Sequence, residues 1–472
     1  MCNLTDYEKY IYNLTLSGDE NVIGIGKIEA KDEKINALDS IIIKKALYFM
    51  FKRHPFFRTV VKKDDSYYFE IHSDTFKSEE MMNFEFSEIN EKYKEEEVVR
   101  EFENFLSKPF DYENNCLLWR FKLTNYIENN KNLSIFGLIL PLYMTDGLNI
   151  TTLVFEFTNI INSLLNQTKC EEMSNKLEIC PNMHELLMKR GFLNDNVKNE
   201  VENLIKNERL VHFNMPLLFR NNDNERNNRT KINLFKIDSN VSEKIILQSK
   251  ERKIRLTGFF ITIALNTFKE LYDEYNIVFP RDFSCMLPAN LRFRLGNPEV
   301  DLSDMRLYAV LVSINLFYPN IKLDSNIEKI WENAKYVNKI IAEKTQFENG
   351  SLLQYSHNSK YIDEANKCFS ENRKKPAVEL NRYNFCDFLV SNLGTHVSDR
   401  KKLVDGDYEL KEVYHGDCIC ANPSYFSAFM LHIISFKSQM MFELSTNRNI
   451  FASEHADRFI YIFKSNLEKI FS

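Results

Sequence analysis

The stretch Leu138-Ile139-Leu140-Pro141-Leu142-Tyr143-Met144-Thr145-Asp146-Gly147 holds the residues best placed by type and spacing to organise a reactive loop. The mostly apolar run from Leu133 to Leu142 predicts a buried strand, and Asp146-Gly147 predicts the turn that ends it. Behind the turn, Leu148, Ile150, Leu153, Val154, Phe157 and Ile160 recur at helical spacing. Strand, tight loop and amphipathic helix together present a group at a strand end. Chemistry there would be proton transfer, which needs an imidazole or a carboxylate within hydrogen-bond reach of substrate. Asp146 is the acid of this loop. Tyr143 and Thr145 flank it and could hold substrate or water, or serve packing alone. Gly147 answers a backbone need at the turn. Two histidines elsewhere are alternative bases: His396, just past Ser391-Asn392-Leu393-Gly394, and His415 within Tyr414-His415-Gly416-Asp417. His54 before Pro55 reads as a turn residue, and His432 as a core histidine on a strand.

Composition excludes several other chemistries. The chain has 472 residues, 44% hydrophobic and 27% charged, which is the balance of a globular protein long enough for two cores. A net charge of -6 gives no electrostatic footprint for nucleic acid. No apolar run approaches the roughly 18 residues of a transmembrane helix, and the acidic start at Asp6 and Glu8 is unlike a secretory signal. A cytoplasmic monomer is therefore expected. Nine cysteines, an odd number spread along a large chain, do not read as a disulfide framework. Cys418-Ile419-Cys420 lacks a second pair for zinc, so buried thiols on one strand face are expected and no metal. Only 12 glycines make phosphate loops improbable, and Gly24-Ile25-Gly26 reads as a strand turn.

Periodicity sketches the elements that must position the loop. In the first half, helices are predicted over Tyr7–Leu14, Asp39–Lys52 and Glu95–Leu106, and strands over 21–28, 56–61, 66–71 and 117–123. Arg220 to Arg229 has no apolar residue and is the linker candidate. This divides the chain into 1–219, a linker at 220–231, and 232–472. In the second half, helices are predicted over 239–249, 257–271, 326–344 and 453–471. Strands are predicted over 232–237, 283–288, 308–317, 388–391, 412–419, 425–435 and 439–446. Both halves mix strands and helices.

The loop resembles the HHxxxDG segment of condensation domains and their relatives, the thioester-dependent acyltransferases that include alcohol acetyltransferases. In that pattern the second His, four residues before the Asp, is the catalytic one. Here that position is Leu142, and the first His position is Pro141. Other segments resemble the pattern in the right order. They are Arg53-His54-Pro55 with Phe57-Arg58-Thr59, Pro109-Phe110-Asp111 with Leu118-Trp119-Arg120, and Leu256-Thr257. Leu287-Pro288-Ala289-Asn290-Leu291-Arg292 follows, and Ser391-Asn392-Leu393-Gly394 matches an SNxG stretch. The resemblance covers nearly the whole chain. It implies an α/β (mixed α+β) fold of two chloramphenicol-acetyltransferase-like lobes, each a mixed sheet flanked by helices, with a channel between them. It also implies a crossover of the second lobe onto the first near SNxG. Asp146 then becomes mainly structural and pairs with Arg292, with Gly147 completing the framework. Ser391, Asn392 and Gly394 border the channel, and His396 faces it.

In an intact member the histidine takes the proton of an acceptor hydroxyl or amine attacking a thioester, worth roughly 10²–10⁴-fold. Leu142 cannot do this. Two classes of function follow. One is an O- or N-acyltransferase using acyl-CoA as co-substrate and a small acyl acceptor, by positioning alone or with another base. A carrier protein could also deliver the acyl group, though no carrier domain lies on this chain. The other is a catalytically silent member acting as a binding or scaffold protein. No tightly bound cofactor is expected in either.

Overall fold

The computed structural model describes residues 2–15, 21–64, 66–72, 84–88, 95–108, 110, 117–168, 175–207, 230–294, 301–317, 326–346, 352, 355, 386–395, 397–419, 427, 429–448 and 451–471. From the N-terminus these form β1 (Cys2–Asn3), α1 (Asp6–Thr15), β2 (Asn21–Ala30), α2 (Ser40–Arg53), β3 (Thr59–Lys63), β4 (Tyr67–Ile71), β5 (Phe84–Glu88), α3 (Glu95–Leu106), β6 (Arg120–Glu128), β7 (Lys131–Pro141) and α4 (Gly147–Leu165). Then come α5 (Met183–Lys189), α6 (Asp195–Asn207), β8 (Thr230–Lys236), α7 (Ser239–Glu251), α8 (Leu256–Glu274), β9 (Asp282–Asn290), β10 (Ala309–Phe317) and α9 (Ile327–Lys344). The chain closes with β11 (Phe388–Gly394), β12 (Tyr408–Asp417), β13 (Phe429–Phe436), β14 (Gln439–Asn447) and α10 (Ser453–Phe471).

Two compact units result, and they are not consecutive halves. The first comprises Met1–Leu186, Leu295–Tyr308 and Thr395–Cys418; the second comprises Leu187–Arg294, Ala309–Gly394 and Ile419–Ser472. Of the linker candidate, 220–229 lie outside the described residues, while Thr230 and Lys231 already belong to β8.

The first unit is built on a five-stranded sheet of order β12-β2-β7-β6-β5, antiparallel except for the β5–β6 pair. A small sheet β1-β4-β3 accompanies it. β12 follows the SNLG stretch yet pairs with β2 from Tyr408↔Ala30 to Asp417↔Val22, the crossover that the resemblance implied. Gly24 and Gly26 lie inside β2, so the expected turn there is not found. Their reason is close approach: a Cβ at Gly24 would meet the Ile150 carbonyl of α4 at 2.9 Å, and one at Gly26 would collide with the Phe136 ring. The strand expected from Phe56 begins only at Thr59, because Pro55–Arg58 coil into a 3₁₀ turn after α2.

α4 is the central helix of this unit. It is the one described helix long and apolar enough to cross a membrane, and 89% of its most apolar window is buried within the protein. Asparagines along it hold the two returning segments by their backbones. Asn149 donates to the carbonyls of Leu302 (2.6 Å) and Asp304 (2.9 Å). Asn159 donates to Lys402 and accepts from Val404. Asn162 donates to the Tyr408 carbonyl (2.8 Å) and accepts its N–H (3.0 Å). A side-chain amide mimics a backbone amide, so each returning segment finds backbone partners on α4 itself.

The second unit carries a six-stranded mixed sheet of order β10-β9-β11-β13-β14-β8. β11 runs parallel to both its neighbours, and the other pairs are antiparallel. One face is covered by α8 and α10 through an aromatic core. Phe268 of α8 lies 5.6 Å from Phe388 and 5.0 Å from Phe429, and Phe442 lies 5.6 Å from Phe463 of α10. Also on α8, Phe259 stacks on Trp331 of α9 at 4.6 Å.

Candidate functional site

In the first unit β7 delivers Pro141 to the sheet end, opposite Asn21 of β2. Leu142–Met144 then make one 3₁₀ turn, closed by the Thr145 N–H on the Leu142 carbonyl (3.2 Å). Leu142, at the position expected for the base, is half-buried and has no proton acceptor. The Tyr143 ring is fully enclosed, edge-on to Tyr12 (5.4 Å) and stacked with Phe69 (6.1 Å). The Thr145 hydroxyl is buried and lies 3.5 Å from the Asp146 carbonyl.

Asp146 is the N-cap of α4. Its Oδ1 accepts the N–H groups of Leu148 and Asn149 at 3.1 Å each, and its Oδ2 accepts that of Tyr308 at 3.3 Å. Three backbone donors thus fix the orientation of this carboxylate at the helix N-terminus. Gly147 is the first helical residue and keeps ordinary backbone; the left-handed glycines among the described residues are Gly191 and Gly394. Its expected turn conformation is therefore not adopted, because Asp146 in extended backbone makes the turn.

In the second unit Ser391, Asn392 and Gly394 form the carboxyl end of β11. The Asn392 Oδ1 accepts the Gly394 N–H (2.9 Å), and its amide reaches Thr257 at the start of α8 (3.4 Å). Gly394 has φ of 55°, which favours glycine, and the pairing with β13 shifts between Asn392 and Gly394, a bulge that bends the strand. Arg292, buried, follows β9, and its N–H bonds to the Asn290 Oδ1 (2.9 Å). His396 lies outside the described residues.

His415 sits in β12 opposite Gly24, where burial pulls its imidazole down to about 3. It is a neutral, enclosed ring. Burial pushes Asp417, two residues on, up to about 7. The strand ends there, so Cys418 lies beyond it as a buried thiol, and Cys420 is outside the described residues. His54 is indeed at a turn, between α2 and the 3₁₀ turn, and its Nε2 lies 2.9 Å from the Glu156 carboxylate of α4.

Residue-by-residue reading of the sequence missed one juxtaposition. Ser391, His432 and Glu443 occupy adjacent positions on β11, β13 and β14, and nothing in their spacing along the chain signals it. No group of three or more metal-ligating side chains occurs among the described residues.

No protein family and no curated protein matches this sequence. Solved structures do. The chain is similar to the TRI3 trichothecene 15-O-acetyltransferase of Fusarium sporotrichioides, with a TM-score of 0.72 at 9% identity, over 100% of this chain and 95% of that one. It is similar to the epimerization domain of the third module of tyrocidine synthetase B, with a TM-score of 0.63 at 11% identity, over 100% and 97%. A third likeness is to the condensation domain of the monacolin K polyketide synthase MokA, with a TM-score of 0.61 at 12% identity, over 99% and 96%. The chain has the mixed α/β, two-lobed fold that condensation domains share with this acetyltransferase. At such identities the likeness defines the fold alone.

Proposed function

We propose that this protein handles an acyl thioester, with free acyl-CoA as donor and a small hydroxyl or amine as acceptor. We infer further that its Asp146-Gly147 loop takes no part in proton transfer. One observation supports the reading: both Asp146 oxygens are held by backbone N–H groups, while the side chain at the position where the resemblance puts the proton acceptor is Leu142. The likeness to an acetyltransferase and to condensation domains supports the thioester substrate. The second reading, a silent binding or scaffold protein, draws on the same missing imidazole. A carrier-delivered acyl group is the variant donor.

The experiment is turnover of acetyl-CoA with a panel of alcohols and amines, comparing wild type with Leu142→His. An imidazole on an intact framework is expected to raise transfer by at least about tenfold, within the roughly 10²–10⁴-fold range of a positioned base. Absence of both acetyl-CoA binding and turnover in the two proteins would leave the scaffold reading. Wild-type turnover abolished by His396→Ala would make that histidine the base.

A further inference from the structure

The six-stranded sheet of the second unit has two unlike faces. Along β13, Phe429, Leu431 and Ile433 alternate with Met430, His432 and Ile434, because successive side chains point to opposite faces. Phe429 meets Phe268 of α8 and Phe459 of α10, so the face of α8 and α10 belongs to the first set. Phe388 on β11 and Phe442 on β14 point the same way. Ser391, His432 and Glu443 are therefore all on the opposite face.

They also share one row. Ser391 pairs with His432 in the parallel β11–β13 ladder, and His432 pairs with Glu443 in the antiparallel β13–β14 ladder. Neighbouring strands lie about 4.8 Å apart, so the three side chains emerge side by side with the imidazole in the middle. His432 Nε2 is 3.7 Å from Glu443 Oε2, and the other carboxylate oxygen accepts the Ser445 hydroxyl at 2.6 Å. The acid is thus fixed from one side and faces the imidazole from the other. Ser391 flanks the imidazole from β11, at the bulged strand end. Met430, Ile434 and Met441 lie on the same face, so the row is a polar group set beside apolar side chains. All three members are buried, at 5%, 2% and 1% exposure, where such groups are costly unless mutually engaged.

We propose that Ser391, His432 and Glu443 form a serine–histidine–glutamate relay in which Ser391 is an acyl-accepting nucleophile. Nucleophile, base and orienting acid in that order are the components by which a weak serine hydroxyl is activated. In the first step the Ser391 Oγ bonds to the thioester carbonyl carbon, its proton passes to His432, and the carbon–sulfur bond breaks. The imidazolium returns that proton to the departing thiolate, giving the free thiol and acyl-Ser391. In the second, an acceptor hydroxyl gives its proton to His432 and bonds to the acyl carbon. The bond to Ser391 breaks, and the imidazolium reprotonates the serine. Use of a thioester rests on the function proposed above; the relay itself does not.

The test treats the intact protein with a fluorophosphonate probe and, separately, with p-nitrophenyl acetate and acetyl-CoA, followed by mass mapping. A single adduct on Ser391 is expected, absent in Ser391→Ala and formed at least about 100-fold more slowly in His432→Gln. Glu443→Gln is expected to slow it about tenfold or more, with circular dichroism confirming retained fold. Ser391→Cys gives a second arm: its alkylation by iodoacetamide should be faster with His432 present than in the Ser391→Cys/His432→Gln protein. Absence of a Ser391 adduct, with Ser391→Cys alkylation indifferent to His432, would overturn the relay. Acetylation of Ser391 by p-nitrophenyl acetate but never by acetyl-CoA would keep the relay and refute the thioester reading. Acetyl-CoA consumption unchanged in Ser391→Ala would do the reverse.

Discussion

Asp146 shows how much a single carboxylate can fix. It caps α4 through Leu148 and Asn149 and holds the Tyr308 N–H of a segment that returns from far along the chain. Asp146→Ala removes a cap worth about 1 kcal/mol and leaves a buried N–H without its acceptor, a further 1–3 kcal/mol or so. Urea denaturation followed through the first unit should therefore show a loss of about 2–4 kcal/mol, with Asp146→Asn losing less because one acceptor oxygen remains. Glu156 makes a second residue-scale prediction. Burial by itself would raise its carboxyl, yet His54, Arg53 at 2.7 Å and Lys401 outweigh that and hold it below the ordinary glutamate value. A depressed folded value means stabilisation that is complete above the unfolded value, about 4.3, and is lost as pH falls through the lower folded one. The acid limb of the stability curve, measured by thermal melts between pH 6 and pH 3, should flatten in Glu156→Gln.

Some elements follow from local physics, and others exist only through their partners. α2, α9 and α10 have caps or periodic apolar faces that local physics sets, and they lie within a residue or so of the predicted bounds. β5 was missed because Phe84–Glu88 is a short edge strand that only its parallel partner β6 defines. β12 was expected from Glu412 but starts at Tyr408, where Asn162 of α4 supplies both partners of its first backbone unit. That contact yields a prediction at this scale. Asn162→Ala should raise hydrogen exchange at 404–408 by an order of magnitude or more, while amides of β6 stay protected. Uniform protection across both segments would show that β12 is held by β2 alone.

The whole molecule interleaves two units whose cores draw on distant parts of the chain. β12 pairs with β2 across nearly 400 residues of sequence, as its Tyr408↔Ala30 register shows. A fragment ending at residue 219 would lack β12 and both asparagine-held segments, and β2 would become an unpaired sheet edge. Such edges aggregate. Expressed alone, that fragment should be insoluble or fail to melt cooperatively; a soluble, cooperatively melting fragment would show that the first lobe does not need its returning strand.

What the sequence determined by itself was local: the strand, loop and helix around Asp146, a leucine where the resemblance expects an imidazole, and enough ordered likeness to name the fold. Those signals survive because caps, periodicity and motif spacing act within a few residues. Only the tertiary structure decided that Gly24 and Gly26 admit α4, that Asp146 answers Tyr308, and that Ser391, His432 and Glu443 share one row. Strand register and helix docking are set by burial of whole faces, which no short window of sequence contains.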